Sequence, residues 1–362
     1  MHLYTMGKLK RLFLSIILMM GGFGIAVAQD SIPEAPAKKP LEKAPFESGY
    51  FISDKTVALP PAKTLEFVIQ HDFGTIQQHW KDLYGIWGGS NIRLGLSFTI
   101  TKDLQVGFGT TKMKTLQDFN IKYVVAHQRK GGFPLTISVF GNVAIDCRNK
   151  SALGNNKLSS SLDYASLVKD STFRSNIHNQ IIQNDTLNGM NYITYNQATG
   201  LKGANNNPAD LQTLFDQTFK SAYRFSYFAE IMIARRFCKE FSAQLGISWI
   251  HYNLIDPVEM ANNHVNGMKN DNINISGIGR IKFSPQGSVI LSYSQSVFTY
   301  LNTPPWPNIG VGVEISTSTH AFQLFLTSAS GMIPQENAMY NRNNPYNGAI
   351  LLGFNITRLW TF

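Results

Sequence analysis

The sequence is poor in charge, nearly free of cysteine and, beyond its first thirty residues, without a long apolar run. Charged residues make up 15% of the chain, against roughly a quarter in ordinary soluble domains. The two cysteines, Cys147 and Cys238, are too few for a disulfide framework or a cysteine-based metal cage. After Ala28 no stretch of about 18 apolar residues occurs, so no later transmembrane helix is predicted. A helical membrane protein and a disulfide-rich scaffold are both excluded.

Basic residues are in excess but scattered. The formal charge is +9, and it falls to +6 without Met1–Ala28, because 29 cations then face 23 acids. No basic stripe of the kind that nucleic-acid binding needs is found, and no nucleic-acid partner is predicted. The eight histidines show no metal-ligand spacing, and no P-loop or H-E-x-x-H motif occurs. Neither a metal nor another cofactor is predicted.

The first 28 residues have the pattern of a secretory signal peptide. A positive region, Gly7–Arg11, precedes an apolar run that ends in an A-x-A site, and cleavage is expected between Ala28 and Gln29. The alternative is a short N-terminal membrane anchor, which is disfavoured because the run is short and interrupted by glycine. The chain is therefore expected to be exported, and any membrane it spans must be crossed by strands.

Residues 29–62 are rich in proline, alanine and lysine. This composition is typical of an extended, mobile segment, and we predict a periplasmic linker here. Phe46–Ile52 is more apolar than its neighbours, so docking of this stretch elsewhere on the protein is the alternative.

From Thr64 to the end, apolar residues recur at every second position. Such alternation predicts strands that are apolar on one side only. It predicts an all-β fold, a closed antiparallel up-and-down transmembrane β-barrel of twelve strands, with ten or fourteen as alternatives. The twelve runs lie at approximately 64–72, 91–100, 104–111, 117–126, 134–146, 222–236, 240–251, 272–283, 287–295, 308–316, 320–328 and 349–362.

The predicted connections alternate in length, as in outer-membrane barrels. Those after every second strand are short turns, and most of those at the other end are about twelve to twenty residues long. A soluble sandwich has no reason to separate its loops in this way. The short turns are centred on Thr101–Asp103, Lys130–Gly132, Phe237–Lys239, Ser284–Gln286 and Thr317–Thr319.

The last predicted strand is strongly amphipathic and ends on an aromatic residue. Trp360 and Phe362 share its apolar face with four aliphatic or aromatic residues. This ending is typical of the C-terminal signal read by the barrel-assembly machinery, which we expect to be a partner. Arg358 interrupts the apolar face, but near a membrane interface its side chain can reach the headgroups.

Four stretches of the chain resemble an uncharacterised family of outer-membrane β-barrels known only as a domain of unknown function. The resemblance covers most of residues 46–362, except the insertion 147–220. It implies a barrel in the outer membrane and carries no catalytic residues across. The stretches are Phe67–Gly74, Gln105–Lys112, Glu314–Gln323 and Thr357–Trp360.

Residues 147–220 depart from the alternating pattern. They contain twelve asparagines, and Asn207-Pro208 resembles a capped helix start. We predict an external loop with one or two short helices that folds over the mouth of the barrel; a disordered loop is the alternative.

One type of membrane phospholipase is a twelve-stranded barrel that uses a Ser–His–Asn arrangement, and the sequence offers two candidate groups for it. Ser248, His251 and Asn253 are close in sequence, but Ser248 and His251 point to opposite faces of a strand. Ser318 and His320 share a face but lie at the short-turn end. No enzymatic activity is predicted.

The predicted barrel interior carries charges that must be paired or hydrated. Twelve strands enclose a lumen between that of a packed eight-stranded barrel and that of an open porin. A narrow channel or solute-specific pore for small polar solutes is therefore the first hypothesis. The alternative is a non-conducting structural or anchoring barrel, filled by paired charges and by Phe140, Phe228 and Phe325. The charged residues assigned inward are Glu66, Arg93, Lys122, Asp146, Arg224, Glu230, Arg280, Lys282 and Glu314.

Three expectations follow from the predicted topology. Cys147 and Cys238 should lie at opposite ends of the barrel, about 25 Å apart, and remain unpaired. Arg224 and Asp146 should lie together near the long-loop end and pair there. The two chain termini, like the short turns, should face the periplasm.

Overall fold

The computed structural model describes residues 39–149, 221–254, 270–298 and 305–362. The signal peptide, residues 29–38 of the predicted linker and most of the 147–220 loop lie outside the described residues. The chain divides into two units, Met1–Lys39 and Pro40–Phe362, and the second is described here. Among the described residues, no helix is both long and apolar enough to cross a membrane.

Twelve strands form one closed antiparallel barrel in which consecutive strands are neighbours and the last pairs with the first. Two further strands, β1 (Tyr50–Phe51) and β2 (Asp54–Lys55), form a separate small hairpin. The predicted fold class and strand count are confirmed. The barrel strands are β3 (Thr64–Thr75), β4 (Asn91–Thr99), β5 (Leu104–Thr111), β6 (Leu116–Ala126), β7 (Thr136–Asp146), β8 (Phe225–Arg236), β9 (Phe241–Tyr252), β10 (Asp271–Lys282), β11 (Gly287–Ser296), β12 (Asn308–Ser316), β13 (His320–Thr327) and β14 (Leu351–Thr361).

The period-two pattern places one side of each barrel strand outside and the other in the lumen. On β9, for example, Leu245 and Ile247 are 68% and 52% exposed, whereas Gln244 and Ser248 are at most 3% exposed. The outer surface is an apolar band, which suits the hydrocarbon of a bilayer. The inner surface is mostly polar, so the usual arrangement of a soluble protein is inverted.

The connections separate by length into two ends of the barrel. The short-turn end has turns of three to nine residues between 99 and 104, 126 and 136, 236 and 241, 282 and 287, and 316 and 320. It also holds the start of β3 and the end of β14, which pair through Thr64 and Thr361. The long-connection end has the remaining links, of which only the one between β5 and β6 is short.

The final strand has its apolar face outward, as predicted. Trp360 and Phe362 are 40% and 78% exposed on the outer surface. Arg358 contacts His320 on the neighbouring strand, and its guanidinium carbon lies 5.6 Å from the centre of the Trp360 ring. A cation beside an aromatic ring at the barrel end is compatible with a position at the membrane interface.

The predicted linker is folded from Phe46 onwards, so a solvated linker for the whole of residues 29–62 is wrong. Phe46–Ala58, here called the plug, lies inside the barrel and contains the β1–β2 hairpin. Phe46, Phe51 and Ile52 are at most 1% exposed. Burial of these apolar side chains outweighs the tendency of a proline-rich segment to stay extended, each contributing roughly 1.5–3 kcal/mol.

The plug enters and leaves the barrel through the short-turn end. Before it, Leu41 forms a β-bridge with Arg129 in the connection between β6 and β7. After it, Lys63 donates a backbone hydrogen bond to the carbonyl of Thr99 and accepts one from Phe362. The segment is therefore a hairpin inserted into the lumen, not a chain threaded through it.

A short helix fills the lumen from the other end. Helix α1 (Pro334–Tyr340) belongs to the link between β13 and β14, and we call it the lid helix. Five of its seven residues are buried, Gln335 and Met339 completely. This helix was missed in the sequence, although a proline at its first turn is a start signal.

The two cysteines are free, as predicted, and both are exposed; Cys147 lies beyond β7 and Cys238 in the turn before β9. They mark opposite ends of the barrel.

We expect a membrane-impermeant maleimide to label Cys147 on intact cells and Cys238 only after the envelope is permeabilised, with Cys147→Ser and Cys238→Ser as matched controls. Labelling of Cys238 on intact cells would invert the expected orientation.

Candidate functional site in the barrel lumen

The structure brings most of the predicted inward charges into the lumen. Each of seven such residues is at most 8% exposed and lies on the inner face of its strand. The three predicted inward aromatic residues Phe140, Phe228 and Phe325 are also buried, at 3–4% exposure. Lys282 lies at the rim, with 19% of its side chain exposed. The seven are Glu66, Arg93, Lys122, Asp146, Glu230, Arg280 and Glu314.

Arg93 is the centre of the largest buried polar cluster. Its guanidinium donates to both carboxylate oxygens of Asp118 at 2.8 and 2.7 Å. It also donates to Gln70 Oε1 at 3.0 Å and to Tyr50 Oη of the plug at 3.1 Å. A Cβ at Gly109 would collide with this guanidinium, so glycine is needed there for Arg93 to lie across the wall. A bidentate buried pair of this kind is geometrically specific.

Lys122 binds the plug backbone directly. Its Nζ donates to the carbonyl oxygens of Thr56 at 3.2 Å and Ala58 at 2.5 Å. Beside it, Lys55 of the plug lies over the Tyr50 ring, 3.4 Å from the ring centre, and 5.0 Å from that of Phe140. The cations of the wall and plug are thus held by carbonyls and aromatic faces as well as by acids.

Three wall amides bind the main chain of the plug. Gln323 accepts from Ile52 N at 3.2 Å and donates to Tyr50 O at 2.7 Å. Gln244 accepts from Val57 N at 2.9 Å and donates to Lys55 O at 2.8 Å. Asn355 donates to Ile52 O at 2.8 Å. These five bonds pair backbone groups that burial would otherwise leave without partners.

An apolar cluster joins the plug, the wall and the lid helix. Its members extend from Phe46, whose ring centre lies 5.8 Å from the guanidinium carbon of Arg280, to the lid helix at the other end. The described residues therefore fill the lumen from both ends. The plug contributes Phe46, Phe51, Ile52, Val57 and Ala58; the wall Phe140, Phe228, Met232, Ala234, Ile250, Ile278, Ile290 and Phe325; and the lid helix Ala338 and Met339.

The plug is anchored at the short-turn end by ion pairs. Glu47 Oε1 lies 2.6 Å from Lys282 Nζ and 3.3 Å from Arg280 Nη1. Partial burial alone would raise the pKa of Glu47, but the Lys282 hydrogen bond and the charges of Lys282, Arg280 and Arg236 lower it below its ordinary value. The carboxylate therefore stays ionised at neutral and mildly acidic pH.

The lid helix is held by a different set of contacts. Lys114 Nζ, in the link between β5 and β6, lies 2.8 Å from Glu336 Oε1 and 4.6 Å from the centre of the Tyr340 ring. Burial alone would lower the pKa of Lys114, but the charge of Glu336 raises it. Gln335 donates to Asn142 Oδ1 at 2.7 Å.

The expected Arg224–Asp146 contact exists, but it uses the main chain. Arg224 precedes β8 in a short 3-10 turn instead of lying in the strand. Its Nη1 donates to the carbonyl oxygens of Asp146 at 2.6 Å and Arg148 at 2.7 Å. The Asp146 carboxylate accepts from Arg148, with Oδ2 2.6 Å from Nη2. Arg148, which was not singled out in the sequence, is thus a salt-bridge partner of Asp146.

The serine and histidine candidates for enzymatic chemistry remain apart. Ser248 is buried in the lumen and donates to Asn274 O at 3.3 Å. His251, on the other face of β9, lies 2.8 Å from Asp271 and 3.1 Å from Asn253. Within the described ranges, no group of three or more His, Cys, Asp or Glu side chains is arranged to hold a metal ion.

Asp118, Gln244 and Gln323 are site residues that the sequence did not single out. Asp118 is a charge on the same face of its strand as Lys122, so the alternation could have found it, whereas the neutral amides Gln244 and Gln323 lie outside a criterion of inward charge. In the sequence, the plug is indicated only by the apolar stretch Phe46–Ile52 and by the family resemblance, which begins at residue 46.

A family profile described as "Membrane bound beta barrel domain" matches residues 46–182 and 168–360. The chain belongs to this family. Membership of the membrane-bound β-barrel domain family agrees with the closed twelve-stranded barrel and its apolar outer band. The matched region includes the plug, and it also crosses residues 147–220, which the sequence resemblance had left out.

Several solved porins and channels are similar to this chain at very low identity. The NanC porin matches at 5% identity and a TM-score of 0.40, over 82% of this chain and 99% of that chain. The KdgM porin matches at 6% and 0.37, over 83% and 99%. An outer membrane channel from Pseudomonas putida F1 matches at 10% and 0.38, over 84% and 97%. No curated protein matches the chain.

The buried Arg93–Asp118 pair should be important for the stability of this family member. Asp118→Asn leaves the Arg93 charge buried without its carboxylate, which costs about 3–5 kcal/mol. We expect a lower temperature of thermal unfolding, followed by circular dichroism in detergent. The double change Arg93→Met with Asp118→Leu removes both charges and should cost less; an equal or larger loss would show that shape, not charge, dominates at this site.

Proposed function

We propose that this protein is an outer-membrane channel for small polar solutes that is closed in its resting state by its own N-terminal plug. The observation that carries the proposal is the way the plug is inserted. Because it enters and leaves through the short-turn end, it can be withdrawn without unthreading the barrel or breaking a strand pair.

The lining of the lumen supports a water-filled open state. Most inward positions carry polar or charged side chains, and the pair Arg93–Asp118 lies within the wall. If the plug left, water could solvate these groups, whereas an apolar wall would oppose wetting. The five amide–backbone bonds and the contacts of Lys122 are buried while the plug is docked, and water can take their place once the plug has left.

A second candidate is a non-conducting barrel that anchors or assembles an envelope complex. The apolar cluster shared by the plug, the wall and the lid helix favours it. Withdrawal of the plug would expose Phe140, Phe228 and Phe325 to water, and this cost opposes opening.

We further propose an orientation with the short-turn end and both termini in the periplasm. The apolar outer band would contact outer-membrane lipid, and the exposed aromatics Trp360 and Phe362 would be read by the barrel-assembly machinery. An N-terminal signal peptide ending at Ala28 would direct the export.

Loosening the plug should open the channel. We expect the wild-type protein in planar bilayers to be closed most of the time. The triple change Gln244→Ala, Gln323→Ala and Asn355→Ala removes the five hydrogen bonds to the plug, at about 1 kcal/mol each. It also removes two bonds within the wall, from Gln323 to Glu314 and from Asn355 to Gln323. It should raise the open fraction on the order of a thousandfold, since each 1.4 kcal/mol is a tenfold shift.

The matched control is Gln105→Ala. This amide donates to Glu66 at 2.9 Å and Thr99 at 3.4 Å, both in the wall, so its loss should leave the open fraction unchanged. Folding of every variant is checked by the change in SDS-gel mobility on boiling. A folded triple variant that never conducts would favour the anchoring barrel.

A further inference from the structure

Three cations line the inner rim of the barrel at the short-turn end. Arg236 of β8 and Arg280 of β10 are both in register with Ser242 of β9, which lies between them. Lys282 is two residues beyond Arg280 on the same face of β10. We call Arg236, Arg280 and Lys282 the cation row. Strand spacing and rise put the Cα atoms of Arg280 and Lys282 about 7 Å apart and those of Arg236 and Arg280 about 10 Å apart.

The acids that face the cation row come from two sources. Glu314 belongs to the wall, and its charge acts on Arg280. Glu42 and Glu47 belong to the segment Pro40–Lys63 that contains the plug, here called the N-terminal segment. Glu42 lies 3.8 Å from Arg236. With the segment docked, these three acids balance the three cations. With the segment withdrawn, Glu314 alone remains and the rim carries a net charge of about +2.

The Glu47 carboxylate occupies this row from the solvent side. Its side chain is 43% exposed, whereas that of Arg280, to which it binds, is 1% exposed. A buried guanidinium is thus reached by an exposed carboxylate through the mouth of the barrel. An anion from the same solution could approach by the same path.

Arg280 also has unused binding capacity. Its Nε is buried and has no hydrogen-bond partner in the described part of the chain. Its Nη2 donates to Ser242 Oγ at 3.3 Å, and Nη1 shares a single Glu47 oxygen with Lys282. A guanidinium can bind an oxyanion with two parallel hydrogen bonds, and Glu47 does not do so here.

We propose that the cation row is a binding site for a small oxyanion, carboxylate or phosphate, and that Glu47 is its intramolecular occupant in the closed state. An anion that binds Arg280 and Lys282 displaces Glu47 and removes one anchor of the plug. The binding site stands on the rim geometry alone; its role in opening rests on the proposed channel function.

The test is isothermal titration of the full-length protein, refolded in detergent, with citrate and separately with inorganic phosphate. Ionic strength is held constant with chloride. We expect Glu47→Gln to bind at least one of the two oxyanions about tenfold more tightly than the wild type, because the competing carboxylate is gone. Stronger binding of citrate assigns carboxylates as the ligand class, and stronger binding of phosphate assigns phosphates.

Two variants make the expectation specific. Asp103→Asn is the matched control, because it removes one negative charge from the same end of the barrel but from the turn between β4 and β5, which β6 and β7 separate from β8; its affinity should equal that of the wild type. Lys282→Gln in the Glu47→Gln background should weaken binding at least fivefold; Lys282 lies at the rim, so folding is not at risk. The proposal is overturned if Glu47→Gln binds neither oxyanion more tightly than the wild type, or if Lys282→Gln has no effect.

Conductance distinguishes this inference from the channel hypothesis. If the bound oxyanion also raises the open fraction of the wild-type protein in bilayers, both stand. If titration shows the expected binding but neither the anion nor the triple amide variant produces conductance, the anion site stands and the channel hypothesis falls.

Discussion

Closure of the sheet is the constraint on which the rest of the structure depends. A closed barrel pairs the backbone of every strand on both sides and leaves no edge, which is what a hydrocarbon environment demands. The same closure commits every second residue to an enclosed space. Apolar residues must face lipid, so polar and charged residues are left inside, where each needs water or a partner.

The plug and the lid helix supply those partners. The plug places backbone groups against Gln244, Gln323 and Asn355, carbonyl oxygens against Lys122, and a carboxylate against Arg280. It also covers the few apolar patches of the inner wall. Several of the inward charges that suggested a pore in the sequence, among them Arg93, Lys122 and Arg280, therefore bind the plug in this structure.

The strength of the plug contacts varies along its length. Near the middle of the lumen it is held by apolar packing and by buried hydrogen bonds, which water cannot easily compete for. At the short-turn end it is held by ion pairs with an exposed carboxylate, which solutes can reach and salt can screen. The rim is consequently the place where conditions outside the barrel can act on the plug.

Local pattern alone determined the barrel of this protein. The alternation in each run gave the twelve strands, their two faces and the inward position of Arg93, Lys122, Glu230 and Glu314, because side-chain direction in a strand depends only on its own period of two. Because strands that are consecutive in the chain are also neighbours in the sheet, the order of the runs was sufficient to give the topology and the two ends.

Only the tertiary structure decided that the lumen is filled. Asn355 and Ile52, which bond each other, are 303 residues apart in the chain, and no local rule links a proline-rich segment to a wall amide at that distance. The partners of the inner charges also needed the structure, because the strand order does not show how far a long side chain reaches: Arg93 binds Asp118 across β5, and Arg280 binds a carboxylate from outside the barrel strands.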